Sequence, residues 1–267
     1  MNRLSLREFF AIYAAYLRKG AKVLLQYRGD AVISGISIII QQMVAFIGVV
    51  VIVSIAGNIG GWGLYDIILL YSFFMMVRAL NNALFDSVWN IGNVYVRYGL
   101  LDVVLTRPVP PFLQLICNRF EFSAFGLFVI GGGVSVWALN MAGVSFTISV
   151  FFMYVLFIIC GIIITTSLYL IVNATNFWLV RGNEVSVLLQ TVEEFSRYPI
   201  RVFPVVIQVL MTFIFPFAFT TFYPASILTG RVEFSAIIWL PLASIIVMFA
   251  ASLVWRAGLK SYNSTGS

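Results

Sequence analysis

The sequence predicts an all-α polytopic membrane protein with six transmembrane helices, and three observations support this fold class. First, 61% of the 267 residues are hydrophobic, 10% are charged and the mean hydropathy is +1.02. A soluble domain of this size could not bury that much apolar surface. Second, several apolar runs reach the roughly 20 residues that a transmembrane helix needs. Third, Lys and Arg concentrate in alternate connections between these runs.

Residues 1–29 precede the first apolar run and have the pattern of an amphipathic helix, with a basic side and an apolar side. The basic side carries Arg3, Arg7, Arg18 and Lys22, and the apolar side carries Leu6, Phe9, Phe10, Tyr13, Leu17 and Leu24. We expect an interfacial helix on an anionic leaflet rather than a soluble helix, because a span follows directly. No signal-peptide pattern is present in these residues.

Five apolar runs predict transmembrane helices, near residues 31–56, 64–86, 117–139, 147–173 and 235–255. Connections rich in Arg and Lys lie before the first run, at 87–119 and 174–201, and after residue 255, whereas 57–63 and 140–146 contain neither residue. By the positive-inside rule both termini are cytoplasmic and the number of spans is even. A sixth span is therefore expected between residues 173 and 235.

Two segments compete for that span, which is the fifth along the chain. Residues 202–223 are the more apolar, but Pro204 and Pro216 interrupt the helix, since proline removes a backbone hydrogen bond. Residues 177–197 have a helical pattern but carry Arg181, Glu184, Glu193 and Glu194. If they form the span, 202–228 becomes a re-entrant hairpin that must be covered by protein or water.

Several function classes are disfavoured by residues that the sequence lacks. Histidine is absent, which removes Ser-His triads and most zinc sites. Cys117 and Cys160 have no metal-ligand spacing and are expected to be reduced packing residues. The glycine-rich stretch at 57–63 lacks the lysine of a phosphate loop, so this chain is not expected to hydrolyse nucleotide. The basic residues mark cytoplasmic ends, and no nucleic-acid partner is expected.

Three stretches carry a resemblance to a known family. They are Gly99-Leu100-Leu101-Asp102 with Leu105, Arg107, Pro108 and Val109; Tyr198-Pro199 with Phe203-Pro204; and Pro216-Phe217-Ala218-Phe219 with Phe222-Tyr223-Pro224-Ala225. In order and placement they resemble type-2 ATP-binding-cassette (ABC) permeases, in particular small bacterial chains often described only as uncharacterised transport-system permeases. The similarity covers nearly the whole chain.

The resemblance implies a subunit of an ATP-driven exporter in the bacterial plasma (inner) membrane. It implies a second permease, commonly a related but different chain, and two copies of a separate ATPase that binds ATP and Mg; this chain itself would hold no cofactor. In such permeases short helices re-enter from the outside before the last span. This favours 177–197 as the fifth span and a re-entrant cap that contains Tyr198, Pro199, Phe203, Pro204, Pro216, Tyr223 and Pro224.

The connection after the second span is the expected contact with the ATPase. We predict a short cytoplasmic helix over 90–106, whose apolar stripe is Val94, Leu101 and Leu105, with Arg97 and Asp102 supplying charge. The coupling segment also includes Gly99, Arg107 and Pro108, which belong to the first of the three stretches that carry the resemblance. The prolines at 108, 110 and 111 end the helix and stiffen the chain that returns to the third span. The alternative is an ordinary interfacial helix without a partner.

Charged residues within or beside the spans are the remaining candidates. Arg78 lies in the second span near Asn81 and Asn82, and burying its charge costs at least about 2.5 kcal/mol. It either forms a polar patch beside a transport path or extends to the cytoplasmic interface. Asp66 is expected at the solvated outer mouth. Arg119 and Glu121 are expected to form a local cytoplasmic ion network.

The leading interpretation is a permease that works by alternating access, driven by ATPase closure. A secondary transporter is the first alternative; it requires carboxylates deep in the bilayer and inverted halves. A membrane enzyme is the second, and it requires converging nucleophile, base or metal groups.

Overall fold

The computed structural model describes residues 6–117, 120–178 and 183–262, and within these residues the chain is helical without strands. The helices are α1 Leu6–Gln26, α2 Arg28–Ala56, α3 Leu64–Asn90, α4 Leu101–Leu105, α5 Pro111–Cys117, α6 Phe125–Met141, α7 Ile148–Ala174, α8 Asn183–Phe195, α9 Val205–Val209, α10 Phe222–Leu228 and α11 Trp239–Ser261. The prediction of an all-α polytopic membrane protein is confirmed.

Five helical stretches of the described chain are long and apolar enough to cross a membrane, with a sixth if the bent pair after α8 is counted. They are Arg28–Ala56, Leu64–Val96, Phe122–Met141, Ile148–Phe177 and Phe234–Ser261. Two differ from the predicted runs. The second does not end near residue 86 but continues as a π-helical turn, Ile91–Val96. The third begins at 122 rather than 117, since residue 117 is the end of the separate helix α5. Just before the third stretch starts, the Glu121 amide donates to the carbonyl of Ala83 in α3, 3.1 Å away.

The central helix of the bundle is α3. Within its most apolar window 78% of the residues are buried, against 17% in α2 and 17% in α11. Small residues let its neighbours approach: a Cβ on Gly161 of α7 would lie 2.7 Å from the Val77 side chain, and one on Gly131 of α6 would lie 3.0 Å from Met76. The helix thus packs against α6 and α7, while α2 and α11 keep outward faces.

Contacts define two ends of the bundle. The loop end is residues 57–63, where the Arg231 guanidinium donates to the Gly61 carbonyl at 2.8 Å and pairs with Asp66. Asp66 also accepts from the Gly63 amide at 3.0 Å, which caps α3. The expectation that solvation explains Asp66 is therefore wrong, because the carboxylate is held by a cation and by a helix N-terminus.

The opposite end, called the turn end, contains residues 97–100 and 175–178. Phe177 follows α7, and its ring lies 5.9 Å from that of Tyr262, just beyond α11. A Cβ on Gly60 of the loop end would lie 3.3 Å from Val202. The chain therefore passes from the turn end to the loop end between Phe177 and Val202, and α8 is the described helix on this path.

Residues 203–231 leave the loop end and return to it. Trp62 of the loop packs on Phe222, with ring centroids 5.2 Å apart, and Arg231 reaches Gly61. The apolar run 202–223 is not one helix: Val205–Ile214 and Phe217–Leu228 meet at 77°. Pro216 lies at this bend, which agrees with the loss of a helical hydrogen bond that proline imposes.

At the turn end, two glycines let the backbone of neighbouring segments lie directly against the turn that follows α7. A Cβ on Gly258 of α11 would lie 2.2 Å from the ring of Phe177, and one on Gly92 would lie 2.1 Å from the Asn176 amide. Both glycines are therefore required by the turn that follows α7. The two contacts hold the ends of α3, α7 and α11 together.

Replacing Gly258 by Ala should destabilise the protein by about 1–3 kcal/mol, because the added methyl group displaces Phe177. The measurement is thermal unfolding of the purified protein followed by size-exclusion fluorescence. Gly133→Ala is the matched control, since no atom lies within 4 Å of a Cβ at that helical position. Equal thermal midpoints for the two variants would contradict the packing argument.

Candidate functional site

A partly buried ion cluster joins α3 to the end of α8. The Glu194 carboxylate lies 3.5 Å from the Arg78 guanidinium and accepts a hydrogen bond from Arg197 at 3.0 Å. Both guanidinium groups also lie over the Phe74 ring, 5.5 Å and 4.9 Å from its centroid. A carboxylate and an aromatic face together compensate the desolvation of two cations.

Arg78 does not extend past a helix end, as one of the two sequence interpretations had it. The helix continues to Val96, so Arg78 lies near its middle, and its side chain is only 16% exposed. An apolar run that ends at residue 86 predicts Arg78 near the cytoplasmic end of the span, whereas the observed helical stretch extends to Val96. The structure places Arg78 with Asn81 and Asn82 on the wall of a cavity.

This polar cavity has a volume of about 190 Å³ and lies where α3, α7 and α8 meet. Ten residues line it: Arg78, Asn81, Asn82, Phe85, Asp86, Val88, Trp89, Tyr169, Gln190 and Glu193. Glu193 is 4% exposed and accepts a hydrogen bond from the Tyr169 hydroxyl. Asn81 donates to Thr166 of α7 at 2.7 Å. The cavity thus combines a cation, carboxylates, amides and aromatic rings.

The polar cavity coincides with a kink in α3. Phe85 has non-helical dihedral angles, φ −129° and ψ 16°, and lines the cavity. The Ala83 carbonyl, two residues earlier, accepts a hydrogen bond from the Glu121 amide, a donor outside the helix. An interruption of the helical ladder by an outside group is an established cause of kinks. The polar wall therefore lies at the point where the central helix bends.

The predicted helix over 90–106 is wrong as a single element. The π-helical turn ends at Val96, and Gly99 then adopts φ 69°, which breaks the helix before α4. Positive φ is accessible to glycine at little cost, so this residue permits the turn. Arg97, Arg107 and Pro108 are exposed around it.

The break changes which side chains face outward. Leu101 is fully buried and Val94 half-buried, so the predicted stripe of Val94, Leu101 and Leu105 is not a surface. Apolar side chains are exposed instead at four positions, which we call the turn face: Tyr98 at 70%, Leu100 at 46%, Val103 at 53% and Leu105 at 43%.

One buried side chain fastens the turn face to the bundle. Gln114 of α5 is 3% exposed and donates to the carbonyls of Val104 and Val109, at 3.1 Å and 2.6 Å. Sequence reasoning missed Gln114, although a lone amide in the apolar run after three prolines was a signal.

The predicted cap residues lie between α8 and α11. Pro199, Pro216 and Pro224 are buried, whereas Tyr198, Phe203 and Tyr223 are half-buried and Pro204 is exposed at the start of α9. Tyr223 stacks on Phe219 with centroids 4.6 Å apart. Cys160 is buried and free. Arg119 of the expected cytoplasmic ion network, Arg181 of the predicted fifth span and the N-terminal Arg3 lie outside the described residues, as does the side chain of Cys117.

Comparison with known proteins identifies the chain. A family model described as "ABC-2 family transporter protein" matches residues 39–266, from the first span to the last described turns. No curated protein matches the sequence. The match covers the polar cavity, the turn face and the bent segment.

Replacing Glu194 by Gln should lower the unfolding free energy, by roughly 1–2 kcal/mol, because Arg78 and Arg197 lose their shared counter-ion. The partial exposure of Glu194 keeps the effect below that of a fully buried pair. Glu184→Gln, on the exposed face of the same helix, is the matched control.

A double-mutant cycle separates the ion pair from packing. Glu194→Gln combined with Arg197→Gln should destabilise less than the sum of the two single changes, since the second removes a cation that the first leaves unpaired. Additive effects in thermal unfolding would show that the cluster does not contribute through charge.

Proposed function

We propose, since the chain belongs to the ABC-2 transporter family, that it is the membrane subunit of an exporter driven by a separate ATPase. Membership makes it a membrane component of an ABC transporter. Export, and coupling to ATP hydrolysis, are our proposal. The observation that supports it best is the turn face: four exposed apolar side chains on α4 and on the turn before it, beyond the end of the central helix.

The turn face has the properties that a coupling surface requires. It is exposed, so a partner can bind it, and its backbone is fixed by Gln114, which donates to the carbonyls of Val104 and Val109. Helix α4 follows the π-helical turn at the end of α3 after the four residues 97–100, so a displacement of the partner acts on the central helix through a short connection. That helix carries Arg78 and the kink at Phe85, and motion at the turn face would therefore change the polar cavity.

The proposed topology has six spans with both termini cytoplasmic, α8 as the fifth span and 202–228 as a re-entrant cap. The turn end would then be cytoplasmic, with Arg97, Arg107, Arg256 and Lys260 on the positive side. The path from Phe177 to Val202 supports this assignment, and so does the return of residues 203–231 to the loop end. The membrane would be the bacterial plasma membrane.

The proposed partners are two copies of an ATPase, which bind ATP and Mg, and a second permease. Exposed apolar side chains on α2 and on the stretch Val205–Ile214 support a further protein or lipid neighbour: Ile55 is 82% exposed, Val205 72% and Phe213 78%. A secondary transporter is the second candidate, favoured by the buried carboxylate of Glu193 on the polar cavity. The two differ in whether transport requires an ATPase.

Val103→Asp should abolish association with the partner ATPase, because a carboxylate replaces an exposed apolar contact on the turn face. The measurement is co-purification of the complex and its ATP hydrolysis in proteoliposomes. Val103→Ile is the matched control and should retain both. Leu101→Asp should instead prevent folding, since Leu101 is fully buried. A folded Val103→Asp variant that binds the ATPase and transports at the wild-type rate would contradict the coupling role.

Cysteine labelling in intact cells tests the orientation, in a background with Cys117 and Cys160 replaced. Arg97→Cys, exposed at the turn end, should react only after the membrane is permeabilised. Asn58→Cys, in the loop that lacks Lys and Arg, should react with an impermeant maleimide from outside. Labelling with the reverse preference would invert the proposed topology.

A further inference from the structure

A second, apolar cavity lies at the turn end between α5, α7 and α11. Its volume is about 380 Å³, roughly twice that of the polar cavity. Its wall contains Pro110, Pro111, Phe112, Leu170, Met248, Ala251, Trp255 and Leu259, with hydroxyl groups from Thr166, Ser167 and Ser252. Neither the turn face nor the polar cavity includes any of these side chains. Nothing in the proposed coupling mechanism requires this space.

Charge at the apolar cavity has one sign. Arg256 is exposed and is the only ionisable residue in the described lining, which contains no carboxylate. Lys260 follows one turn later in α11. Arg256 lies in the last turns of a helix that is long and apolar enough to span a bilayer, at the depth where basic side chains meet headgroups. The rim therefore suits a negatively charged group.

The apolar cavity is continuous with the membrane-facing surface of α11. Met248, which lines it, is 49% exposed, and the neighbouring Phe249 and Leu253 are 63% and 50% exposed. In a bilayer these side chains contact hydrocarbon, and a void beside them would forfeit dispersion contacts along its walls. In a bilayer, the apolar material next to the cavity would be the acyl chains of lipids.

We propose that the apolar cavity binds one acyl chain of an anionic phospholipid whose headgroup lies at Arg256. The proposal requires membrane insertion of α11, and it does not depend on the ATPase or on export. A bound lipid would fill the space between Pro110–Phe112, the return from the turn face, and the last helix. It would thus brace the same connection that Gln114 braces from within.

Trp255 makes the proposal measurable. Its side chain is 6% exposed and lines the apolar cavity, with the Phe112 ring 5.9 Å away. Purified protein is reconstituted into bilayers that contain either an anionic or a zwitterionic phospholipid with brominated acyl chains. The fluorescence lost in wild type but not in Trp255→Phe is the signal from this position. Anionic brominated lipid should quench it at a lower mole fraction than zwitterionic lipid.

Two variants with matched controls distinguish binding from general lipid contact. Arg256→Gln should weaken the preference for anionic lipid about fivefold, the effect of one basic residue at a membrane surface, while Lys260→Gln, outside the lining, should preserve most of it. Ser252→Phe should fill the cavity and reduce quenching at Trp255, whereas Leu253→Phe on the outer face should not. Thermal midpoints verify that each variant is folded, and the Arg256 comparison stands if Ser252→Phe does not fold.

The proposal is overturned if both lipids quench Trp255 equally, or if Arg256→Gln and Lys260→Gln behave alike. Absence of quenching by either lipid would also overturn it, since the cavity would then be closed to the bilayer or filled by something other than an acyl chain.

Discussion

The architecture depends on the contacts that two adjacent carboxylates of α8, Glu193 and Glu194, make with side chains of other segments. The Glu193 carboxylate is 4% exposed and needs a partner, because an unpaired buried charge costs several kcal/mol, whereas the partly exposed Glu194 serves as counter-ion to two guanidinium groups that are each 16% exposed. Glu194 meets Arg78 and Arg197, and Glu193 meets Tyr169. A rotation of α8 by one residue would separate both pairs, so the charges fix the register of this helix against α3 and α7.

The position of the bent segment follows from that register. The Ser196 carbonyl lies two residues after Glu194 and accepts a hydrogen bond from the Thr221 hydroxyl at 2.8 Å. This bond holds the start of α10 against the end of α8. Phe217 and Ala218 at the bend are buried, so the irregular backbone there is covered by protein. Arg231 then closes the segment on Asp66. Ion pairs thus lie before and after a segment that proline prevents from forming one helix.

The sequence predicted the features that depend on local composition. It did not predict the features that depend on contacts between side chains distant in sequence. Long apolar runs identify helices regardless of their neighbours, and the family resemblance was confirmed by the match over residues 39–266. Hydropathy could not decide between α8 and the run at 202–223, because the cost of Glu193 and Glu194 depends on Arg78 and Tyr169, which are distant in sequence. The residues of the cap and of the ATPase contact stay predictions.

Local geometry accounts for the other errors. Helical periodicity was extended through Gly99, but its positive φ resets the phase, so Leu101 points into the core and Val103 out. Gly92, Gly258 and Gln114 act through close approach or through carbonyls of another segment, and neither effect has a periodic signature. Asp66 was assigned to solvent because its cation, Arg231, is 165 residues away in sequence.

The central helix connects these features in one mechanical path. Near the turn end, Gly92 is pressed against Asn176, and Leu101 beyond the turn is anchored in the core, so a force on the turn face cannot be absorbed locally. The first irregularity that such a force meets is the π-helical turn Ile91–Val96, and the next is Phe85 within α3, where the backbone dihedral angles are not helical. A kink and a π-turn are the points at which a helix changes direction at lowest cost. Motion would therefore concentrate between residues 85 and 96, beside the polar cavity, while Arg78, held by Glu194, stays fixed with α8.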